Sequence, residues 1–265
     1  MQVTLVVDNL AQGELRSEHG LSMLVETSEG SVLFDTGQSD VWLGNMVALG
    51  KDPEAIRAIA ISHGHYDHTG GIAAALMRLP QVRVFAHLDC LRPRYAVGAN
   101  GRHAIGIPNL TLAFQPRFLF NERSKQILPG VTLSGQIPIR RSVDTGPFLI
   151  EDEVDTFADE QCMILRDGGY VGVLLGCSHR GVENNILAAM DVAGTARLDL
   201  VIGGMHLDGA DEGRLEAIAS FLEAEDIGQI VPCHCTGDRA FAYLRDRLGE
   251  RVIQGRAGMQ WSLGS

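Results

Sequence analysis

Apolar and polar residues alternate along this chain in a way that predicts strands and helices in turn. Short runs rich in Val, Leu and Ile are typical of strands, and they fall at residues 2–7, 21–26, 31–34, 82–86, 163–165, 170–175, 198–203 and 227–231. Apolar residues at helical spacing predict helices at residues 40–49, 72–78, 181–190, 211–223 and 240–248. The tail around residues 259–261 predicts an edge strand. Strands that alternate with helices favour an α/β fold.

The most informative polar residues follow the apolar run at residues 56–61. His63, His65, Asp67 and His68 fall within six residues, and a Gly-Gly pair follows after one further residue. Residues two apart in an extended segment share a face, so one cation could take both early histidines and a second cation the Asp67 and His68 pair. The alternative is a polar loop with solvated histidines, which is the weaker reading for so dense a cluster. The motif therefore predicts a metal site at the rim of a sheet.

Two further strands end in residues suited to a metal site. His179 follows the strand at residues 170–175, and we interpret it as a further ligand. Asp35 follows the strand at residues 31–34. It could orient a ligand histidine through a hydrogen bond, or it could be a turn aspartate that bonds its own backbone.

Two more histidines, His206 and His234, also come directly after apolar strands. The alternative for each is a structural histidine at a strand end. Cys233 and Cys235 flank His234, but their C-x-C spacing alone is weak evidence for metal binding.

Composition sets limits on fold and partners. A chain of 265 residues with 45% hydrophobic content can bury a large core, and we expect one domain over residues 1–265. The formal charge of −11 argues against nucleic acid and anionic membranes as partners, but it allows a small anionic substrate. Five dispersed cysteines and an opening segment without a basic leader indicate a cytoplasmic protein. A homo-oligomer is compatible with these features.

Charge is unevenly distributed in the middle of the chain. Residues 92–141 carry eight basic side chains and one acidic one, whereas residues 142–160 carry seven acidic side chains and no basic one. The irregular segment at residues 91–141 predicts an insertion that covers the substrate. Its arginines and aromatic rings would suit a ligand with a phosphate and a flat ring, or the basic segment could simply pair with the acidic one.

The motif H-x-H-x-D-H at residues 63–68, together with Leu33-Phe-Asp-Thr-Gly37, resembles the metallo-β-lactamase superfamily. Residues 176–179, 203–207 and 234–237 extend the resemblance to the branch of dihydropterin ribofuranosylaminobenzene 5′-phosphate synthases. The resemblance implies an α/β fold, namely a four-layer αββα sandwich with two mixed sheets. It also implies a dinuclear centre in which His234 completes the second metal's ligands and His206 acts as general acid or binds substrate.

The chain departs from the superfamily pattern in two places. A metal-bridging residue, often Asp, usually follows a glycine after the strand at residues 170–175. Cys177 occupies that place here and His179 lies two residues further on, so either could be the ligand, and we favour His179. The superfamily also usually places a histidine about twenty residues earlier, where this chain has Asp159 and Glu160. These acids could bind metal or a substrate amine, or they could be surface residues.

The expected activity follows from the resemblance and the ligand chemistry. Two divalent cations would lower the pKa of a bound water to about 7, Asp67 would orient the resulting hydroxide, and His206 would protonate the leaving group. Zinc is the first choice because histidine dominates the ligands, with manganese or iron as alternatives. We expect a phosphodiesterase-like hydrolase of a small phosphorylated or cyclic-phosphate metabolite, and the resemblance points to a pterin-like one. The alternatives are a lactonase or thioesterase on the same metals, or a non-hydrolytic ligand sensor.

Overall fold

The computed structural model describes residues 1–264, and Ser265 lies outside this range. Seventeen strands are found among the described residues. They are, in chain order, β1 (Gln2–Val7), β2 (Ser22–Thr27), β3 (Gly30–Phe34), β4 (Ile56–Ala60), β5 (Arg83–Ala86), β6 (Arg94–Gly98), β7 (Gly101–Ala104), β8 (Phe118–Phe120), β9 (Lys125–Leu128), β10 (Val131–Leu133), β11 (Phe148–Ile150), β12 (Glu153–Val154), β13 (Met163–Asp167), β14 (Tyr170–Leu174), β15 (Arg197–Gly204), β16 (Asp226–Cys233) and β17 (Gln260–Ser262).

Seven α-helices connect these strands within residues 1–264. They are α1 (Val41–Ala48), α2 (Tyr66–Thr69), α3 (Ile72–Arg78), α4 (Asn109–Leu112), α5 (Val182–Ala193), α6 (Glu212–Ala224) and α7 (Asp238–Leu248). Local chemistry sets several of their ends. The Asp211 side chain accepts a hydrogen bond from the Arg214 backbone N–H at 2.8 Å and so caps α6. Gly194, in the left-handed conformation, ends α5.

The strands form two large mixed sheets. One has the order β17-β1-β2-β3-β4-β5-β8, and the other has the order β16-β15-β14-β13-β10-β9. In the first sheet β3, β4, β5 and β8 are parallel, and in the second β14, β15 and β16 are parallel. The predicted edge strand near the C-terminus is confirmed, since β17 pairs only with β1 at the end of the first sheet.

Three apolar clusters bind these elements into four layers. The cluster between the sheets contains Leu5 and Phe34 from the first and Leu174 and Ile202 from the second. A second cluster packs α1 and α3 on the outer face of the first sheet. A third packs α5, α6 and α7 on the outer face of the second sheet. The predicted αββα sandwich is therefore confirmed.

A third sheet, with the order β12-β11-β6-β7, was not predicted. It combines the β6–β7 hairpin with strands from the acidic segment. Directly after β7, the Ile105 carbonyl accepts a hydrogen bond from the Tyr66 N–H of the histidine motif at 2.9 Å. The rest of the segment at residues 91–141 is divided, because β8 joins the first large sheet while β9 and β10 join the second. The part of this segment that lies nearest the motif is the hairpin.

No helix within residues 1–264 combines the length and the apolar character that crossing a membrane requires. The longest, α6, has 13 residues.

Candidate metal centre

Strands from both large sheets deliver polar side chains to one site. The side chains come from the segments directly after the strands: Asp35 after β3, residues 62–68 after β4, Cys177 and His179 after β14, His206 after β15 and His234 after β16. Asp35, Ser178, His206 and His234 all have positive φ angles between 49° and 64°. Non-glycine residues rarely adopt this conformation, and such backbone strain concentrates at functional sites.

Three histidines form one group of potential metal ligands, here called the imidazole set: His63, His65 and His179. One nitrogen from each lies within 4.8 Å of the others, and the three ring centroids are 4.7 to 5.0 Å apart. Nε2 of His63, Nε2 of His65 and both ring nitrogens of His179 are buried without a hydrogen-bond partner in residues 1–264. Buried polar atoms without partners are costly, so this geometry fits a cation that all three imidazoles share.

A second group lies beside the first and is here called the carboxylate set: Asp67, His68 and His234. Asp67 Oδ2 and His68 Nε2 each lie 3.2 Å from His234 Nε2, and they are 3.8 Å from each other. Ligands about 2.0–2.1 Å from a tetrahedral zinc ion lie about 3.3 Å from one another, so these separations fit a shared divalent cation. The structure thus brings together all six residues that we predicted as metal ligands.

Asp35 is connected by hydrogen bonds to one histidine of each set. Its Oδ2 accepts hydrogen bonds from His68 Nδ1 at 2.6 Å and from the Ser62 hydroxyl at 2.7 Å. The Ser62 hydroxyl in turn lies 2.9 Å from His63 Nδ1. Of the two predicted alternatives for Asp35, the structure shows the hydrogen bond to a histidine. Such a bond fixes the ring and leaves the other nitrogen free to bind metal.

Asp159 and Glu160 do not belong to either set. Asp159 Oδ2 accepts from the Gly64 N–H at 2.8 Å, and Glu160 accepts from the backbone N–H groups of His179 at 2.5 Å and Arg180 at 2.7 Å. Both acids are fully buried, so the surface alternative is wrong. They position the backbone that carries the imidazole set.

Cys177 and His179 both reach the centre, but on different sides. Cys177 Sγ lies 3.1 Å from His68 Nε2, next to the carboxylate set, whereas His179 completes the imidazole set. The sequence had left these two residues as alternatives for one position. Although Cys177 and His179 are only two residues apart in the loop after β14, Cys177 contacts His68, whereas His179 lies beside His63 and His65.

Three arginines of the basic segment pair with the acidic segment. Arg92 pairs with Glu151 at 3.2 Å, and Arg102 pairs with Asp152 at 2.6 Å. Arg94 is fully buried, and its Nε donates to Asp155 at 2.7 Å. Its Nη2 also forms an ion pair with Asp159 Oδ1 at 2.6 Å, although neither atom makes a hydrogen bond within residues 1–264. Of the two predicted alternatives for this segment, pairing with the acids is the one that the structure shows for these arginines.

Burial and neighbouring charges give the histidines of the two sets different pKa values. Burial lowers the pKa of His65 to about 3, and burial also holds the pKa values of His63 and His179 well below their usual range. Burial acts to lower the pKa of His68 as well, but the carboxylates of Asp35 and Asp67 raise it to about 9. At neutral pH the imidazole set is therefore uncharged, as a metal ligand must be, while His68 carries a proton.

A cavity of about 250 Å³ opens over the two sets. Its wall includes His206, the predicted general acid, whose buried Nδ1 has no hydrogen-bond partner within the described chain. The His206 ring is 4.2 Å from that of His179, centroid to centroid. This position beside the imidazole set is compatible with proton donation to a ligand in the cavity.

Three residues at the site escaped the sequence analysis, and a fourth, Cys235, was named there only as weak evidence for metal binding. Phe157 stacks on His179 with centroids 3.9 Å apart and planes 6° from parallel, and Phe148 lies between His65 and His206. His19 Nε2 lies 3.3 Å from Asp67 Oδ2. Cys235 lines the cavity. The only sequence signal among the four was the C-x-C spacing, because isolated residues in irregular segments carry no period or motif.

Comparison with known families identifies the superfamily. The family model of the metallo-β-lactamase superfamily matches residues 16–171. The chain belongs to the metallo-β-lactamase superfamily. Members usually bind divalent metals, and the two sets occupy the site where strands from both sheets end.

Individual relatives agree with this assignment. The crystal structure of Tm1679, a metal-dependent hydrolase of the β-lactamase superfamily, is 33% identical with a TM-score of 0.86, and the match covers 100% of both chains. A Methanocaldococcus jannaschii protein named 7,8-dihydropterin-6-methyl-4-(β-D-ribofuranosyl)-aminobenzene-5′-phosphate synthase is 28% identical over 263 residues, covering 91% of this chain and 89% of its own. Zn²⁺-bound PqqB from Methylobacterium extorquens shares the fold, with 14% identity, a TM-score of 0.59 and coverage of 99% and 100%.

Proposed function

We propose that this protein is a metal-dependent hydrolase that acts on a small phosphorylated metabolite. The observation that carries the proposal is the placement of two three-residue donor sets side by side under one cavity, with His206 on its wall. Two-metal sites of this kind commonly activate water and stabilise charge on a reacting phosphoryl or acyl group. A ligand sensor would not require a proton donor beside the metals.

The donor chemistry favours zinc at both positions, with manganese or iron as alternatives. Five of the six ligands are imidazoles, and the donor separations suit tetrahedral coordination. When bound, the cations would supply Lewis acidity and lower the pKa of a coordinated water toward neutrality.

The chain's own residues would perform the remaining steps. Asp67 accepts a hydrogen bond from the attacking water and directs it toward the substrate. His206 gives its proton to the leaving group, and Phe148 and Phe157, which pack against His65 and His179, exclude bulk water from the imidazole set. His19 holds the Asp67 carboxylate from the open side of the cavity.

Two observations bear on the substrate, and they point in different directions. The pterin synthase of M. jannaschii is named for a product with a 5′-phosphate, which supports a phosphorylated substrate. Three arginines of the basic segment are occupied by carboxylates, however, and this favours a lactone or thioester as the second candidate. We place the phosphorylated substrate first because the synthase relative spans 91% of this chain.

The test combines metal analysis with a substrate panel. Purified wild type, Asp67→Ala and the exposed helix control Asp246→Ala would be assayed with chromogenic phosphodiester, phosphomonoester, lactone and thioester substrates, before and after chelation. We expect phosphodiester turnover that is lost on chelation and in Asp67→Ala but kept in Asp246→Ala. Turnover of acyl substrates alone would support the second candidate, and metal-loaded protein without any turnover would contradict a hydrolase.

A further inference from the structure

Two thiols face each other beside the carboxylate set. Cys177 lies in the loop after β14 and Cys235 lies in the loop after β16, and Cys235 Sγ is 3.5 Å from the Cys177 carbonyl oxygen. The two sulfur atoms and one nitrogen of His234 all lie within 4.8 Å of one another. Three soft or borderline donors therefore converge, and only one of them, His234, belongs to a donor set already described.

The backbone leaves room for this arrangement. Gly204, at the end of β15, packs against the Cys235 sulfur, and a Cβ atom at position 204 would lie only 2.6 Å from it. The same Cβ would lie 2.6 Å from the Gly176 carbonyl oxygen and 3.3 Å from Cys177 Cα. A side chain at this position would push the two thiol loops apart, so the glycine permits their close approach.

The other three cysteines are directed elsewhere. Cys233, only two residues before Cys235, packs in the cluster between the sheets, while Cys90 and Cys162 lie in the clusters under the helices. Cys177 and Cys235 line the cavity instead. Cys233 and Cys235 are thus two residues apart, but one thiol lies in the core and the other at the site. Cys233 is therefore a matched control for Cys235.

We propose that Cys177, His234 and Cys235 form a binding position for a soft d¹⁰ cation such as Zn²⁺ or Cd²⁺. Both thiols would bind as thiolates and release their protons to solvent. Since His234 also belongs to the carboxylate set, a cation here competes with one held by Asp67 and His68. Thiolate ligands select zinc and cadmium, whereas carboxylate and imidazole also accept manganese and iron, so the protein holds two alternative positions with different metal preferences.

The test is a cadmium titration of the reduced full-length protein, followed through the ultraviolet thiolate-to-cadmium charge-transfer band. We expect a band with the intensity of about two thiolates, about half of it in Cys177→Ser and in Cys235→Ser, and none in the double variant. Cys233→Ala should match wild type. A wild type saturated with cadmium but without the band, or an unchanged band in Cys235→Ser, would overturn the proposal.

A second measurement covers the case in which the serine variants do not fold, as judged by circular dichroism. The ¹¹³Cd NMR shift of the wild-type complex depends on the number of bound sulfur atoms. A resonance in the range of two-sulfur sites supports the proposal, and resonances confined to nitrogen and oxygen sites or to one-sulfur sites contradict it. Neither readout uses a substrate, so a protein that fails as a hydrolase would still report on this site.

Discussion

The imidazole set and the carboxylate set lie side by side, but they differ in whether their ligand atoms have hydrogen-bond partners when no cation is bound. In the imidazole set, Nε2 of His63, Nε2 of His65 and both ring nitrogens of His179 have no partners among residues 1–264, and burial lowers the pKa of all three rings so that they are neutral. The carboxylate set bonds within itself, since His234 Nε2 lies 3.2 Å from both Asp67 and His68. Burial acts to raise the pKa of Asp67, but the charge of His68 and hydrogen bonds from His19 and His234 hold it well below its usual range.

This difference indicates how each position binds metal. A cation at the imidazole set gains ligands that are already deprotonated and otherwise unsatisfied, so binding there is not opposed by protons. A cation at the carboxylate set must first displace the proton of His68. We therefore expect the imidazole set to fill first at neutral pH and the carboxylate set to fill second.

The largest expected effect follows from removing an imidazole. His63→Ala should abolish the tight position, so that bound zinc falls from about two equivalents to about one, and turnover is lost with it. Metal analysis after gel filtration measures this directly. His103→Ala, at the cavity wall but outside both sets, should keep full metal content. Equal zinc content in His63→Ala and wild type would contradict the assignment of His63 as a ligand of the tight position.

His206→Gln should separate chemistry from metal binding. Loss of a general acid typically costs about 10²–10⁴-fold in rate, while the metal content should stay at the wild-type value because His206 belongs to neither set. Steady-state kinetics and metal analysis on the same sample test both parts. If His206→Gln lost metal instead, His206 would be a ligand.

The sequence predicted the fold, and which polar side chains meet at one rim, because both depend on local signals. Apolar runs and the dense motif at residues 63–68 marked strand ends, and parallel strands deliver their ends to the same edge of a sheet. It could not predict that Phe157 stacks on His179, or that Asp159 holds Gly64, since such contacts join segments far apart in the chain. The arginines of the basic segment show the same limit, because only the third sheet reveals their acidic partners.

The pH dependence of zinc affinity should distinguish the two sets. The pKa of His68 is raised to about 9, so below that value each pH unit of acidification costs the carboxylate set about tenfold in affinity, or about 100-fold from pH 8 to pH 6. The pKa of His65 is about 3, so the imidazole set should show no such slope in this range. Competition with a chelator at pH 6, 7 and 8 measures both. Parallel slopes for the two equivalents would contradict the electrostatic difference.

Asp35→Asn should have a smaller effect, directed at one set. Removing the carboxylate that supports His68 should weaken the second equivalent by about 10–100-fold above pH 9, where His68 carries no proton in either protein. Below pH 9 it should flatten the pH dependence, because the pKa of His68 falls and less proton competition opposes the metal. The matched control is Asp40→Asn, which changes an exposed aspartate five residues away that makes no side-chain cap. The idea fails if both variants bind the second zinc equally well.

The most direct test of the whole account is anomalous diffraction at the zinc edge from crystals grown with zinc. We predict two peaks, one within bonding distance of His63, His65 and His179 and the other within bonding distance of His234. The second peak can lie toward Asp67 and His68 or toward Cys177 and Cys235, and either location is consistent with a two-position centre. A single peak, or peaks away from these side chains, would contradict it.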